Sequence, residues 1–285
     1  HGGGGFWREG EIAPGFHHDE VLDRILFESQ DFLQTHVGQT PDQPFFLYVP
    51  LPAPHTPWLP DESFQGSTTA GTYGDFVAQV DDRIGRLLAT LDDLDLADNT
   101  LVIVTSDNGS HWGLDDIEEY GHRANNMWRG QKADIHEGGH RIPFIARWPD
   151  HIPAGSSRSE LLTLTDLFAT ISSLVDVEPR QGAGEDSVDA LGVLLDLELE
   201  APPRDHAVHH SLNGHFALRM GRWKLIERQG SGGFTRVRVA EDEPPGQLYD
   251  LQADPSESTN LWLEHPEIVE RLQAKLTELR APTGH

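Results

Sequence analysis

A chain of 285 residues with 47 Asp and Glu against 21 Lys and Arg carries a formal charge of −26, which argues against a nucleic-acid partner bound on a basic face. With 37% hydrophobic and 24% charged residues it has the composition of a folded protein of one large or two unequal domains, and no apolar run approaches the ~20 residues of a membrane span. Cysteine is absent, which excludes disulfides, thiolate metal sites and a cysteine nucleophile.

The chain opens on His1 and four glycines, a stretch to which signal-peptide reasoning cannot be applied. Residues 19–37 place Val21, Leu22, Ile25, Leu26, Phe32 and Leu33 at helical spacing behind an acidic start, which predicts a helix. The run 44–50, PFFLYVP, is short, apolar and bounded by proline, and reads as a buried strand. A stiff loop with four prolines, LPAPHTPWLP, follows. Residues 73–95 then put Phe76, Val77, Val80, Ile84, Leu87, Leu88 and Leu91 on one face of a long amphipathic helix. TLVIVTSDNG reads as an apolar strand ending in a polar turn, and a further strand is expected at Ile142–Trp148.

Strand, helix and strand in succession, with unbroken apolar runs, predict an α/β fold: a mostly parallel sheet flanked by helices, with active loops at the carboxyl ends of the strands. A helix is expected at Thr165–Val177, and the acidic stretch 182–200 has no assignable period. Pro202-Pro203 mark a boundary between a domain at 1–202 and a subdomain at 203–285. In the latter, strand candidates at 207–211, 216–220, 223–227 and 247–251 and a helix at 266–279 predict a small antiparallel sheet plus helix.

Three local constellations could carry chemistry. Asp107 and Asn108, in Thr105-Ser106-Asp107-Asn108-Gly109, offer two hard oxygens suited to Ca²⁺ or Mg²⁺, although Asp-Asn-Gly is also ordinary turn chemistry. His55, braced by Pro54 and Pro57, could present a donor to an oxyanion or be a plain surface histidine. Lys132, in Arg129-Gly130-Gln131-Lys132, could aim an ammonium at an anion or be solvated. The literal His136-Glu137-Gly138-Gly139-His140 pattern of zinc proteases needs a helix that puts both histidines on one face. Two glycines cost such a helix about 2 kcal/mol and Pro143 follows, so this reading is rejected.

In their order and joint wording, PFFLYVPLPAPHTPW, the stretch from Tyr73 to TSDNG, RGQKADIHEGGHRIPFIARWP and YDLQADPSESTNL resemble the sulfatases of the alkaline-phosphatase-like superfamily across nearly the whole chain. That resemblance implies a calcium-dependent sulfuric ester hydrolase. It implies Asp107 and Asn108 as Ca²⁺ ligands, His55 and Lys132 as contacts to the sulfate oxygens with one of them assisting departure of the alcohol, and His122 at the substrate entrance. Glu137 and Arg141 are implied as supports for the loop. Asn at position 108, where two-zinc phosphoesterase relatives place histidine, favours calcium and sulfate.

The family's leading Asp-Asp strand, its Cys- or Ser-x-Pro-x-Arg segment that matures to the formylglycine nucleophile, and its Lys-x-His pair have no counterpart here; Asp81-Asp82 sits mid-helix, on what is expected to be a solvated face. The expectation is therefore an N-terminally truncated and inactive chain, with an incomplete calcium site and a substrate that is an aryl sulfate or a sulfated carbohydrate. The family also implies a periplasmic or secreted location. A phosphoesterase of the same superfamily and a degenerate, non-catalytic sulfate-binding paralogue are the competing readings.

Overall fold

The computed structural model describes residues 10–238, 240 and 242–281. They fall into two compact units, one of residues up to Thr100 with Glu118–His122, the other of Leu101–Ile117 with the chain from Arg123 onward. Pro202-Pro203 lie inside the second unit.

The first unit is built on α1 (Val21–Gln39) and α2 (Gly71–Asp93), close to the two helices that apolar spacing predicts. Leu22 of α1 and Phe76 of α2 share a core cluster with Ala53, with Leu51, Trp58 and Val80 packed against it. Arg83 of α2 is buried and reaches Asp23 of α1, Asp61 and Asp82, each at 2.5 Å, so its charge is matched three ways. Asp81 and Asp82 are exposed.

The strand expected at 44–50 does not form: these residues are in no strand. Phe46 and Tyr48 are 74% and 75% exposed, and the intervening Phe45, Leu47 and Val49 are half-buried. The period of two that a strand requires is there, but no described segment supplies the ladder.

The second unit begins with β1 (Val102–Thr105), which pairs antiparallel with β2 (Phe144–Arg147) in the register Val102↔Arg147 to Thr105↔Phe144. Apolar runs report burial and not direction, so the parallel arrangement expected from them is not the one found among the described strands, whose two sheets are both antiparallel. Between β1 and β2 lie α3 (Leu114–Tyr120) and a single helical turn, α4 (Glu137–His140). α5 (Asp166–Leu174) and the short α6 (Leu191–Leu194) follow, and α6 falls in the acidic stretch that has no readable period.

The last eighty residues form the expected sheet and helix. β3 (His206–His210), β4 (Phe216–Met220), β5 (Trp223–Ile226) and β6 (Gln247–Asp250) make a four-stranded antiparallel sheet in chain order. The two-residue turn between β4 and β5 has Gly221 at φ 57°, where glycine avoids the Cβ penalty. α7 (Pro266–Leu279) starts with Pro266 in its first turn, where a missing N–H costs nothing.

The sheet has two different faces. Leu218, Leu225 and Leu248 pack with Val269, Leu272 and Leu276 of α7. On the opposite face, Ala217, Ile226 and Tyr249 pack with Ile135 of the loop between β1 and β2. The sheet is thus the platform on which that loop is carried.

Candidate functional site

Five positions stand out from the sequence. His55 and His122 belong to the first unit, while Asp107, Asn108 and Lys132 belong to the second. His55 is exposed, and its Nδ1 lies 2.7 Å from the Thr56 carbonyl. A carbonyl only accepts, so Nδ1 carries the proton of the neutral ring and proton exchange falls to Nε2. His122 is exposed.

The second unit brings the Asp107-Asn108 loop and the Lys132 loop together through backbone. Gly109 N–H donates to the Gly139 carbonyl at 3.0 Å, and Lys132 N–H donates to the Ser110 carbonyl at 3.0 Å. A Cβ on Gly109 would sit 1.8 Å from the Gly138 carbonyl oxygen. The glycine after Asp-Asn is therefore required by a close approach of two backbones as well as by turning. The same holds for Gly138 and Gly139, whose added Cβ atoms would fall 2.3 Å from the carbonyls of Gly130 and Asp134.

Asp107 is exposed and Asn108 half-buried at the carboxyl end of β1. Asn108 Nδ2 donates to the Gly109 carbonyl at 3.0 Å, and Ser106 Oγ donates to the Asn108 carbonyl at 2.9 Å. Because the amide nitrogen is committed, Oδ1 is left as an acceptor, one residue along the chain from Asp107. A carboxylate and an amide oxygen are hard donors of the kind calcium accepts, and two fall short of the six to eight it takes. Among the described residues no group of three or more His, Cys, Asp or Glu is placed to hold a metal.

Residues invisible to motif reading hold these loops. Asn125 accepts from Ser110 N–H at 2.9 Å and donates through Nδ2 to the Ser110 and Gly130 carbonyls at 3.0 and 3.3 Å, clamping both loops with one amide. Its only sequence signal is its place beside His122 in Gly121-His122-Arg123-Ala124-Asn125. Asp134, fully buried, accepts from Gln131 N–H at 3.0 Å and Thr235 N–H at 2.9 Å. Ala133, next to Lys132, has φ 78°, a left-handed conformation costing on the order of 1–3 kcal/mol. It is held there by Leu212 N–H, 2.9 Å from its carbonyl.

Beneath the loop lies a buried ionic floor. Lys224 of β5, 0% exposed, places Nζ 3.0 Å from both Glu137 and Glu257, and Glu137 N–H donates to Glu257 at 2.7 Å. Arg219 reaches Glu137 at 3.4 Å. Arg129 donates to the Tyr249 hydroxyl at 2.9 Å and the Glu257 carbonyl at 2.8 Å. Arg141 lies 3.6 Å from Glu137 and over the Trp128 ring at 4.1 Å.

Burial works against ionised Glu137, but Lys224 and Arg219 outweigh it and hold its carboxyl below the usual range. Burial, with Glu137 nearby and Lys224 opposing, pushes Glu257 up. Desolvation, with Arg129 and Lys224, lowers His136 to about 3, and desolvation with Lys224 lowers His140 to about 4. Both are neutral at pH 7.

The rejected zinc-protease pattern shows an unexpected helical turn at Glu137–His140 despite its two glycines. Close backbone packing is the reason for those glycines. His136 stands ahead of that turn in an extended conformation, with Nε2 3.1 Å from Gln247, while the His140 ring lies 4.2 Å from that of His209. The two imidazoles face different partners.

Asp107, Asn108 and Lys132 thus lie on interlocked loops above an antiparallel platform, and the comparisons give the family. The chain belongs to the sulfatase family: residues 5–177 match Sulfatase, and residues 127–282 match N-sulphoglucosamine sulphohydrolase, C-terminal. It is 34% identical over 284 residues to an N-acetylgalactosamine-6-O-sulfatase of Bacteroides thetaiotaomicron, covering 96% of this chain and 54% of that protein. It is 32% identical over 286 residues to a steryl-sulfatase of Rattus norvegicus, covering 89% and 47%. A solved chain described under metabolism of multiple glycosaminoglycans by Bacteroides thetaiotaomicron matches with a TM-score of 0.80 at 32% identity, covering 94% of this chain and 56% of that one. The chain thus spans about half the length of the curated relatives it matches. No helix among the described residues is long and apolar enough to cross a membrane.

Proposed function

We propose that these residues form the carboxyl-terminal part of a calcium-dependent sulfuric ester hydrolase acting on a sulfated carbohydrate or aryl sulfate. The observation that supports this reading is the backbone link from Lys132 N–H to Ser110, two residues beyond Asn108, which ties the Lys132 backbone to the loop that carries Asp107 and Asn108. Asp107 and Asn108 would hold the ion, with its other ligands and the formylglycine nucleophile coming from sequence outside these 285 residues. Bound there, calcium supplies positive charge opposite the oxygens of the transferring sulfuryl group. Lys132 contributes a point charge to the same oxygens. His55, with Nδ1–H committed to the Thr56 carbonyl, would in its imidazolium form offer Nε2–H to a sulfate oxygen or pass that proton to the departing alcohol. His122 borders the entrance.

The 285 residues alone should neither turn over sulfate esters nor bind calcium tightly, since two ligands are too few and no nucleophile is present. Calorimetric titration with Ca²⁺ and an aryl-sulfate assay of the isolated chain check this; turnover would show that the nucleophile lies within it. In the intact gene product, 4-nitrophenyl sulfate and 4-nitrophenyl phosphate separate the reading from its superfamily rival, and a large phosphatase preference would replace it. Absence of both activities would favour the degenerate sulfate-binding paralogue. Asp107→Ala should abolish activity there, and Lys132→Ala and His55→Ala should each lower kcat/KM by on the order of 10²-fold. Lost thermal stability with activity per folded molecule intact would instead make these residues structural.

A further inference from the structure

The loop 230–238 is joined to both sides of Lys132. Thr235 N–H donates to Asp134 at 2.9 Å, and Gln131 Nε2 donates to Thr235 Oγ1 at 3.3 Å. Ser231 accepts from Ile135 N–H at 2.8 Å. Gly233 lies so close to the Ala133 carbonyl that a Cβ there would be 2.3 Å from its oxygen. Phe234, between Gly233 and Thr235, is therefore pinned beside Lys132. It is nevertheless 44% exposed.

From the other side, Lys132 N–H holds Ser110, and the next residue, His111, is exposed and places its ring 5.2 Å from that of Phe234, tilted by 54°. Two rings from segments more than 120 residues apart thus meet next to the proposed sulfate contact. Arg236 and Arg238, both exposed, follow directly, two cations close in sequence to Phe234 in a chain of charge −26.

We propose that His111 and Phe234 form the platform that receives the pyranose ring of a sulfated carbohydrate whose sulfate lies at Lys132. This rests on the sulfatase reading above and deepens it. A pyranose has one flat face of C–H groups edged by hydroxyls, which suits a small aromatic face rimmed by polar groups. A steroid or a larger aryl group would need a broad apolar groove, whereas the exposed large apolar residues of this loop are Phe234 and Val237 alone. The arginines keep an anionic sugar from being repelled by the rest of the surface.

The test uses the intact gene product with N-acetylgalactosamine 6-sulfate as substrate and inorganic sulfate as inhibitor. Phe234→Ala and His111→Ala should each raise KM about tenfold with kcat within about twofold, leave inhibition by sulfate unchanged, and Phe234→Trp should restore KM. An unchanged KM overturns the proposal while leaving the sulfatase reading in place. So does weakened sulfate inhibition in step with KM, which would make Phe234 only a support for Lys132, and so does turnover of steryl or aryl sulfates without any of the sugar sulfate. If the wild type hydrolyses no sulfate ester, the sulfatase reading fails first. Saturation-transfer NMR with the same sugar then decides the platform: transfer to the ring protons that disappears in Phe234→Ala upholds it, and no transfer to the wild type overturns it.

Discussion

The two faces of the sheet β3–β6 solve the same problem by opposite means. Toward α7 the contact is aliphatic, with Leu218, Leu225 and Leu248 against Val269, Leu272 and Leu276. Toward the Lys132 loop, the alternate positions of the same strands carry Lys224, Arg219, Gln247 and Tyr249, which engage Glu137, His136 and Arg129. An aliphatic face tolerates small slides, because dispersion and burial have no direction. An ionic and hydrogen-bonded face fixes a backbone at set distances but is costly if one partner fails. The loop that must hold Lys132 stands on the second kind of surface.

The largest expected effect breaks the polar face. Lys224→Met leaves Glu137 and Glu257 buried without their shared cation, and should cost about 3–5 kcal/mol in urea unfolding. Adding Glu137→Gln and Glu257→Gln should recover much of that stability, since neutral groups no longer need a counter-charge. Recovery of stability without recovery of activity in the intact gene product would show that the charges position the loop.

On the aliphatic face, Leu225→Ala should cost about 2–5 kcal/mol through lost burial and a cavity under α7. Its signature differs from that of Lys224: activity per folded molecule should be unchanged, because Leu225 packs in the cluster with α7 on the face turned away from the 129–140 loop. A drop in kcat in folded Leu225→Ala protein would mean that the two faces are mechanically coupled.

Acid should discriminate between the faces too. His136 and His140 are held down to about 3 and about 4, below the ~6.5 of an unfolded histidine. As pH falls below 6.5 the unfolded chain takes up protons that the folded chain refuses, so stability present at pH 7 declines down to those values, by up to about 1.4 kcal/mol per pH unit for each histidine. Glu137, held down, also loses its contribution as pH falls, but only through the carboxylate range. Glu257, pushed up, acts in the opposite sense, favouring the folded state at lower pH. Urea midpoints at pH 7.5 and 5.5 should therefore converge in His140→Gln, and an unaltered pH slope there would remove His140 from the account.

What could be read beforehand divides along the same line. The aliphatic face was legible because its signals are local: β4 and β5 are joined by Gly221-Arg222, and α7 shows its own period and its leading Pro266. The polar floor was not, since Lys224 meets Glu137 across 87 residues and Arg129 meets Tyr249 across 120, and nothing in a lysine's neighbours says that it will be buried. Asp107, Asn108 and Lys132 stood out through their surroundings, whereas Asn125 and Ala133 act through backbone geometry that side-chain chemistry does not announce. Segment 44–50 reads as a strand from its unbroken apolar run and even alternates in burial, yet it lies in no strand, because a strand is completed by its neighbour and an apolar run specifies none.

The smallest effect tests how far the aliphatic face depends on its rim. Arg280, just past the end of α7, lies over the Phe216 ring at 3.9 Å and reaches Glu227 at 2.9 Å. Both contacts are half-open to water: the side chains of Arg280 and Glu227 are 45% and 24% exposed. Screening and the entropy of holding a long side chain then leave an ion pair of about 0–1 kcal/mol, and a cation over an exposed ring adds about 0.5–1 kcal/mol. Arg280→Ala should therefore lower stability by no more than about 1–1.5 kcal/mol. Arg280→Lys should recover part of it, since an ammonium keeps the charge but not the flat stacking on Phe216. The ionic share should vanish in 1 M salt, where the screening length is ~3 Å, leaving the stacking share. A loss as large as that of Leu225→Ala would mean that α7 is held at its end and not along its leucines.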